Sequence, residues 1–232
     1  MAQRKDLTPF MDTIGVHFKN PDLMTMAFVH RSYLNEHPGF GLDHNERLEF
    51  LGDAVLELIV TEHLYNSYDD PEGELTNWRA SLVNADMLAQ IAADMGVEQW
   101  LYLSRGEEKD AGTKARHYIL ANAMEAIIGA IYLDQGWDVS KNFVHRFVIE
   151  KLPEIIATQS YIDAKSRFQE AAQEKMGVTP SYRVLEESGP DHAKNFKVGI
   201  FLEKELVAAG EGTSKQEAQM AAAREGLKVK GW

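Results

Sequence analysis

Cysteine is absent from these 232 residues, which excludes disulfides and thiolate metal sites and fits a reducing, cytoplasmic setting. Also missing is any run approaching the ~20 apolar residues that a bilayer-spanning helix needs. The N-terminal MAQRKDLTPF lacks the apolar stretch of a secretory signal. There is no P-loop, nucleophile elbow or HExxH motif, and no locally supported Ser-His-Asp arrangement. Nothing calls for an organic cofactor. Positive charge is short as well, with a formal net charge of −12. The deficit is confined to one part: residues 1–162 hold 25 acidic and 13 basic side chains, whereas residues 163–232 hold 11 of each. A strongly acidic domain repels polyanions unless some of its acid binds divalent cations, which invert the local field. For most of these acids the plain reading is a soluble surface.

What is present divides in two, as the length suggests. The periodicity predicts an all-α domain over residues 6–148, a linker over 149–162 and a small α+β domain over 163–232. In the first, Asn45 is the expected N-cap of a helix running to about Tyr65, with Leu48, Leu51, Val55, Leu58 and Ile59 as its apolar positions. A second helix is expected from Glu74 to Ala93. SRGEEKDAGTKARH reads as a mobile loop. YILANAMEAIIGAIYLDQG reads as a buried helix ended by Gly136. Beyond the linker the order is helix (Ala164 to Met176), strands SYRVLEES, NFKVGIFL and ELVAAGEG, and a helix starting near Ser214. GPDH is the expected turn between the first two strands. That order makes a three-stranded antiparallel sheet with both helices on one face.

The chemistry concentrates in HNERLEFLGDAVLEL. Glu46, Glu49 and Asp53 are spaced i, i+3, i+7, so all three project from one helix face. Acid at such spacing is usually only a solvated surface, and Glu57, which continues the stripe, is read that way. A second helix raises the weight of the other three. Glu125 lies among Leu120, Met124, Ile127 and Ile128, where an unpaired carboxylate is costly, and Asn122 lies one turn earlier. Crossing the two helices would gather Glu46, Glu49, Asp53, Asn122 and Glu125, a hard-oxygen set suited to Mg²⁺ or Mn²⁺. Gly52 beside the stripe leaves room for a helix or a ligand to come close.

HNERLEFLGDAVLEL resembles the signature helix of the ribonuclease III family. VHRSYLNE resembles the segment before it, PEGELTNWRASLVN the segment after it, and LANAMEAIIGAIYLDQGW the second acidic helix. The C-terminal part resembles a double-stranded-RNA-binding domain along its whole length. The resemblance implies a homodimeric, Mg²⁺-dependent endonuclease of double-stranded RNA, with Mn²⁺ as a possible substitute. It implies products with 5′-phosphates and short 3′ overhangs, and roles in ribosomal, messenger and transfer RNA processing. By the same resemblance Glu49, Asp53 and Glu125 match the metal-binding acids, Glu46 an acid of substrate handling, and Glu72 an acid approaching the neighbouring subunit's cleft. Asn122 stands where the family usually has Asp. In the second domain Ser166, Gln169, Glu170 and Gln173 match a minor-groove face, His192 a second groove contact and Lys215 a phosphate contact. Gln216 and Gln219 occupy positions that are often basic, so weak RNA binding by this domain alone is expected. Two rivals remain: a dimeric, non-catalytic double-stranded-RNA-binding protein, and a metal phosphohydrolase of small nucleotides.

Overall fold

The computed structural model describes residues 4–110, 112–158, 164–190 and 194–232. The chain forms two compact units, Met1–Tyr161 and Ile162–Trp232, each around its own apolar cluster. Among the described residues no helix is long and apolar enough to cross a membrane.

The first unit is helical. Helix α1 (Thr8–Ile14) takes Pro9 into its first turn and ends at Gly15, whose φ of 72° suits glycine. Helix α2 (Pro21–Ala27) is capped by Asn20, and α3 (Arg31–Glu36) by the ring of His30, which accepts from the Ser32 amide. Helix α4 (Glu46–Ser67) follows Asn45 as expected, but Asn45 does not cap with its side chain. Its Nδ2 instead donates to the Ala27 carbonyl (3.2 Å) and its amide to the Val29 carbonyl (2.9 Å). These two bonds tie the start of α4 to the α2–α3 connection. Leu58, expected in the core, is 57% exposed.

The helix expected over 74–93 is two helices, α5 (Glu72–Val83) and α6 (Ala85–Asp94). Asn84 breaks them: it is extended, and its side chain accepts from the Met87 amide (2.9 Å), a capping geometry that competes with helix interior. The apolar period continues across the break because Trp78, Leu82, Leu88 and Ile91 all enter one core. The polar segment expected as a loop is also partly helical. Ser104 caps α7 (Arg105–Lys109), and Thr113 caps α8 (Lys114–Gln135). Arg116 is buried there, pairing with Glu98 (2.8 Å) and bonding the Glu107 carbonyl. A polar composition disguised the caps of two helices.

Helix α8 is buried along most of its length and packs on α4 more extensively than any other pair of elements meets. Gly136 ends it with φ 83°, and α9 (Trp137–Phe147) and α10 (Leu152–Thr158) follow. Ile149, Leu152 and Ile155, in the segment read as a linker, pack into the first unit's core. Its remaining residues 159–162, and Asp163 after them, lie outside the described residues.

In the second unit α11 (Ala164–Met176), β1 (Ser181–Ser188), β2 (Asn195–Leu202), β3 (Glu205–Gly212) and α12 (Lys215–Lys230) take the expected spans. The strands pair antiparallel in the order β1-β2-β3. Ile200, Leu202 and Val207 face Phe168, Ala222 and Ala223, so both helices share one side. A Cβ on Gly210 would stand 2.1 Å from the Ala222 nitrogen, which shows how closely α12 lies on β3. The GPDH turn includes Asp191 and His192, which lie outside the described residues.

Candidate active site and nucleic-acid face

Helices α4 and α8 cross backbone against backbone at two glycines. A Cβ on Gly52 would lie 1.8 Å from the Glu125 carbonyl oxygen, and one on Gly129 would lie 2.2 Å from the Leu48 carbonyl oxygen. No side chain fits at either point. Gly52 therefore admits a helix, the first of the two options its position offered, and Gly129 is its counterpart, which the sequence did not single out. The crossing decides which side chains meet. Glu49 and Asp53 flank Gly52 on α4, and Glu125 lies one turn before Gly129 on α8.

The electrostatics of this contact are lopsided. Burial first, and then the charges of Asp53 and Glu49, raise the Glu125 carboxyl from 4.5 to about 8, with no cation among the described residues acting against them. Glu49 is raised too, by burial first and then by Glu46 and Asp53, while a hydrogen bond from Asn122 works in the opposite direction. Asn122 donates there, as an ionised Asp would not. Among the described residues no three His, Asp or Glu side chains form a ready cage for a metal ion. The acids stand close enough for their like charges to act on one another. The donor set of carboxylate and amide oxygens fits a hard divalent cation, which would remove that repulsion.

Glu46 is turned elsewhere. Arg31 Nη1 lies 3.2 Å from its Oε1, and His44 Nδ1 lies 3.8 Å from its Oε2. Glu72 opens α5, exposed, and accepts from the Thr76 hydroxyl (2.9 Å). It lines a cavity of about 220 Å³ with Tyr65, Leu75 and Arg79.

One face of α4 belongs neither to the core nor to the acids. Phe50 is 82% exposed and Tyr65 79%. With Ala54, Leu58 and Thr61 they fall within ~80° of arc at ~100° per residue. The acids border this stripe.

In the second unit Ser166, Gln169, Glu170 and Gln173 are exposed on α11, opposite buried Ala164, Phe168 and Ala172. Lys215 is exposed at the first position of α12, with its ammonium 5.6 Å from the centre of the Phe196 ring. Gln219 accepts from Lys165 Nζ (2.9 Å), so a lysine of α11 stands beside a position where the resemblance led one to miss a base. His192 lies outside the described residues.

Residues 20–152 match the family model described as Ribonuclease-III-like, and residues 164–230 match the double-stranded RNA binding motif. The chain is 45% identical over 229 residues to Ribonuclease 3 of Syntrophomonas wolfei, covering 97% of this chain and 95% of that one. It is 42% identical over 214 residues to Ribonuclease 3 of Streptococcus gordonii, covering 92% and 91%. The nuclease domain of ribonuclease III from Campylobacter jejuni superposes with a TM-score of 0.57 at 37% identity, covering 64% of this chain and 97% of that one. A second structure of that domain, described for flexibility in a region involved in its dimer formation, gives 0.57 at 36%, covering 64% and 99%.

Proposed function

The chain belongs to the ribonuclease III family and is a double-strand-specific endoribonuclease, and on that premise we propose that its reacting centre is the crossing of α4 and α8. Glu49, Asp53 and Glu125 hold the divalent cation on which this metal-dependent family relies, Mg²⁺ or alternatively Mn²⁺, with the Asn122 carbonyl as a neutral fourth donor. One observation carries this reading. The Gly52–Gly129 contact sets the half-buried carboxyl of Glu125 against two others, and no cationic side chain among the described residues offsets them. When bound, the cation supplies charge neutralisation and a water acidic enough to react near neutral pH. The protein's own residues do the placing. The Asn122 amide favours the ionised form of Glu49, and the α8 backbone fixes Glu125 opposite Asp53. Glu46, held aside by Arg31 and His44, is left to meet the substrate. The motif offers no side-chain nucleophile, so water attacks phosphorus and the 3′-oxygen leaves, giving 5′-phosphates.

The α4 stripe and its surroundings support a homodimer. Exposed apolar surface of this extent on a helix marks an interface. At its N-terminal end Phe50 itself lines a cavity of about 590 Å³, with Met26, Leu48, Leu51 and Leu133 on its apolar side and Asp43, His44, Glu46 and Arg47 on its polar side. A knob and a hollow on one surface are what a two-fold, self-complementary contact requires. Because the acids border the stripe, the partner would bring its own set alongside, and two centres would cut opposite strands to leave short 3′ overhangs. Ser166, Gln169, Glu170, Gln173, His192 and Lys215 hold the duplex, and Glu72 approaches the partner's cleft. The reading places the protein in the cytoplasm, in keeping with its lack of cysteine, acting on ribosomal RNA precursors and structured messenger RNAs.

Cleavage of a long end-labelled RNA duplex tests the centre. Mg²⁺ should give products with short 3′ overhangs, EDTA should stop the reaction, and Glu125→Gln should lower its rate by at least a hundredfold. Full activity of Glu125→Gln would overturn the assignment. Asn122 favours one other reading, a disabled nuclease: a bound duplex that stays intact until Asn122→Asp restores cutting would support that view, and one that stays intact even then would support a non-catalytic scaffold.

A further inference from the structure

The segment VHRSYLNE is pinned from several directions. Val29 pairs with Tyr102 in an isolated parallel bridge, and the His30 amide donates to the Tyr102 carbonyl (3.1 Å). Ser32 Oγ lies 2.8 Å from His30 Nδ1 and accepts from the Ser104 amide (3.2 Å). The Asn45 amide, bonded to the Val29 carbonyl, brings this segment to the start of α4. Between the anchored His30 and Ser32, Arg31 points outward with 68% of its side chain exposed, and its guanidinium meets Glu46 Oε1. His44 stands at the other oxygen of Glu46, and its Nε2 is 3.9 Å from Asp43. Glu46 lies one helical turn from Glu49 and two from Asp53.

Stability does not account for this arrangement. An ion pair this exposed contributes little to stability, and often nothing measurable. What it achieves is placement: a planar cation is held at the edge of an acidic cluster, in a part of the chain where acid outnumbers base by 25 to 13. A duplex whose backbone must reach those acids meets repulsion unless a cation receives it. A guanidinium carries five donors in a fork that matches phosphate, and the contact to Glu46 uses one side of it.

We propose that Arg31 binds a backbone phosphate of the duplex beside the α4–α8 acids, exchanging Glu46 for the phosphate as RNA enters while His44 keeps its place against Glu46. This rests on the assignment of those acids to cleavage. The exchange explains why a surface arginine is fixed on so firm a base. It also means that the Glu46 oxygen held by Arg31 is freed for the substrate only once the phosphate has arrived.

The test is binding of an end-labelled RNA duplex by the full chain carrying Glu125→Gln, with Mg²⁺ present, over a salt series. Adding Arg31→Gln should weaken binding and reduce the slope of log affinity against log salt by about one, the signature of a lost phosphate contact. Arg31→Lys should restore most of the slope, because a point charge also releases a counterion. An unchanged slope and affinity for Arg31→Gln, at an unchanged melting temperature, would overturn the proposal, as would a Lys variant indistinguishable from Gln. Cutting by the Glu125→Gln parent would instead refute the acid-site reading, and short incubations would still measure the slope.

Discussion

A carboxyl raised to about 8 makes Glu125 a reporter on its own surroundings. The sign follows from linkage: its folded value lies above its unfolded value of 4.5. Its favourable contribution is therefore complete below pH 4.5 and is lost as pH climbs toward 8. In EDTA, the melting temperature of the wild type should thus fall relative to that of Glu125→Gln as pH rises across this interval. Melting curves that stay parallel would sink the claim. The same proton must leave when a cation binds, so Mg²⁺ uptake at neutral pH should release protons and strengthen with pH. Calorimetry in buffers of different ionisation heat measures this directly, and proton-neutral binding would contradict it. The oddity of Glu125 was legible from sequence, since an acid amid Leu120, Met124 and Ile127 is conspicuous. Arg31 was not. An arginine in a polar segment looks like ordinary surface until the backbone ties of Val29 and Asn45 bring it to Glu46.

At the scale of elements, the α4–α8 crossing is the joint on which the site depends. In Gly52→Ala the new methyl would meet the Glu125 and Gly129 backbone, which cannot step aside as a side chain can. Overpacking of that kind costs ~1–3 kcal/mol or more, above the ~0.5–1 kcal/mol that Ala gains over Gly in a helix. Gly73→Ala in α5, where nothing lies within 4 Å, should be neutral or slightly stabilising. Urea unfolding of both variants checks the contrast, and equal midpoints would refute it. The second unit was legible element by element because its strands and helices are separated by turn residues and a Ser cap. The first unit was harder for a physical reason. Asn84 caps α6 in the middle of an unbroken apolar period, and the caps Ser104 and Thr113 lie in a segment polar enough to pass for loop. The crossing itself joins residues more than seventy positions apart, and no local pattern announces it.

For the whole molecule, the exposed stripe on α4 makes assembly the deciding property. Phe50→Asp would place a charge in the proposed contact. At micromolar concentration its sedimenting mass should be half that of the wild type, with its helical circular dichroism retained. A variant that still sediments as a dimer would show that the contact lies elsewhere. Leu58 belongs to this argument as well. Apolar spacing on a helix reads alike whether the surface meets its own core or a second copy, which is why the sequence placed it inside. On the proposed reading helix α4 answers to three clients around its circumference: its own core, a cation and a neighbour. Its fidelity is rotational. One residue inserted after Val55 would turn everything downstream by ~100°, swinging Tyr65 away from Phe50 and setting Val60 and Leu64 at the solvent-facing places of Thr61 and Tyr65. Substitutions along α4 perturb one relationship at a time, whereas a single-codon insertion would uncouple all three at once.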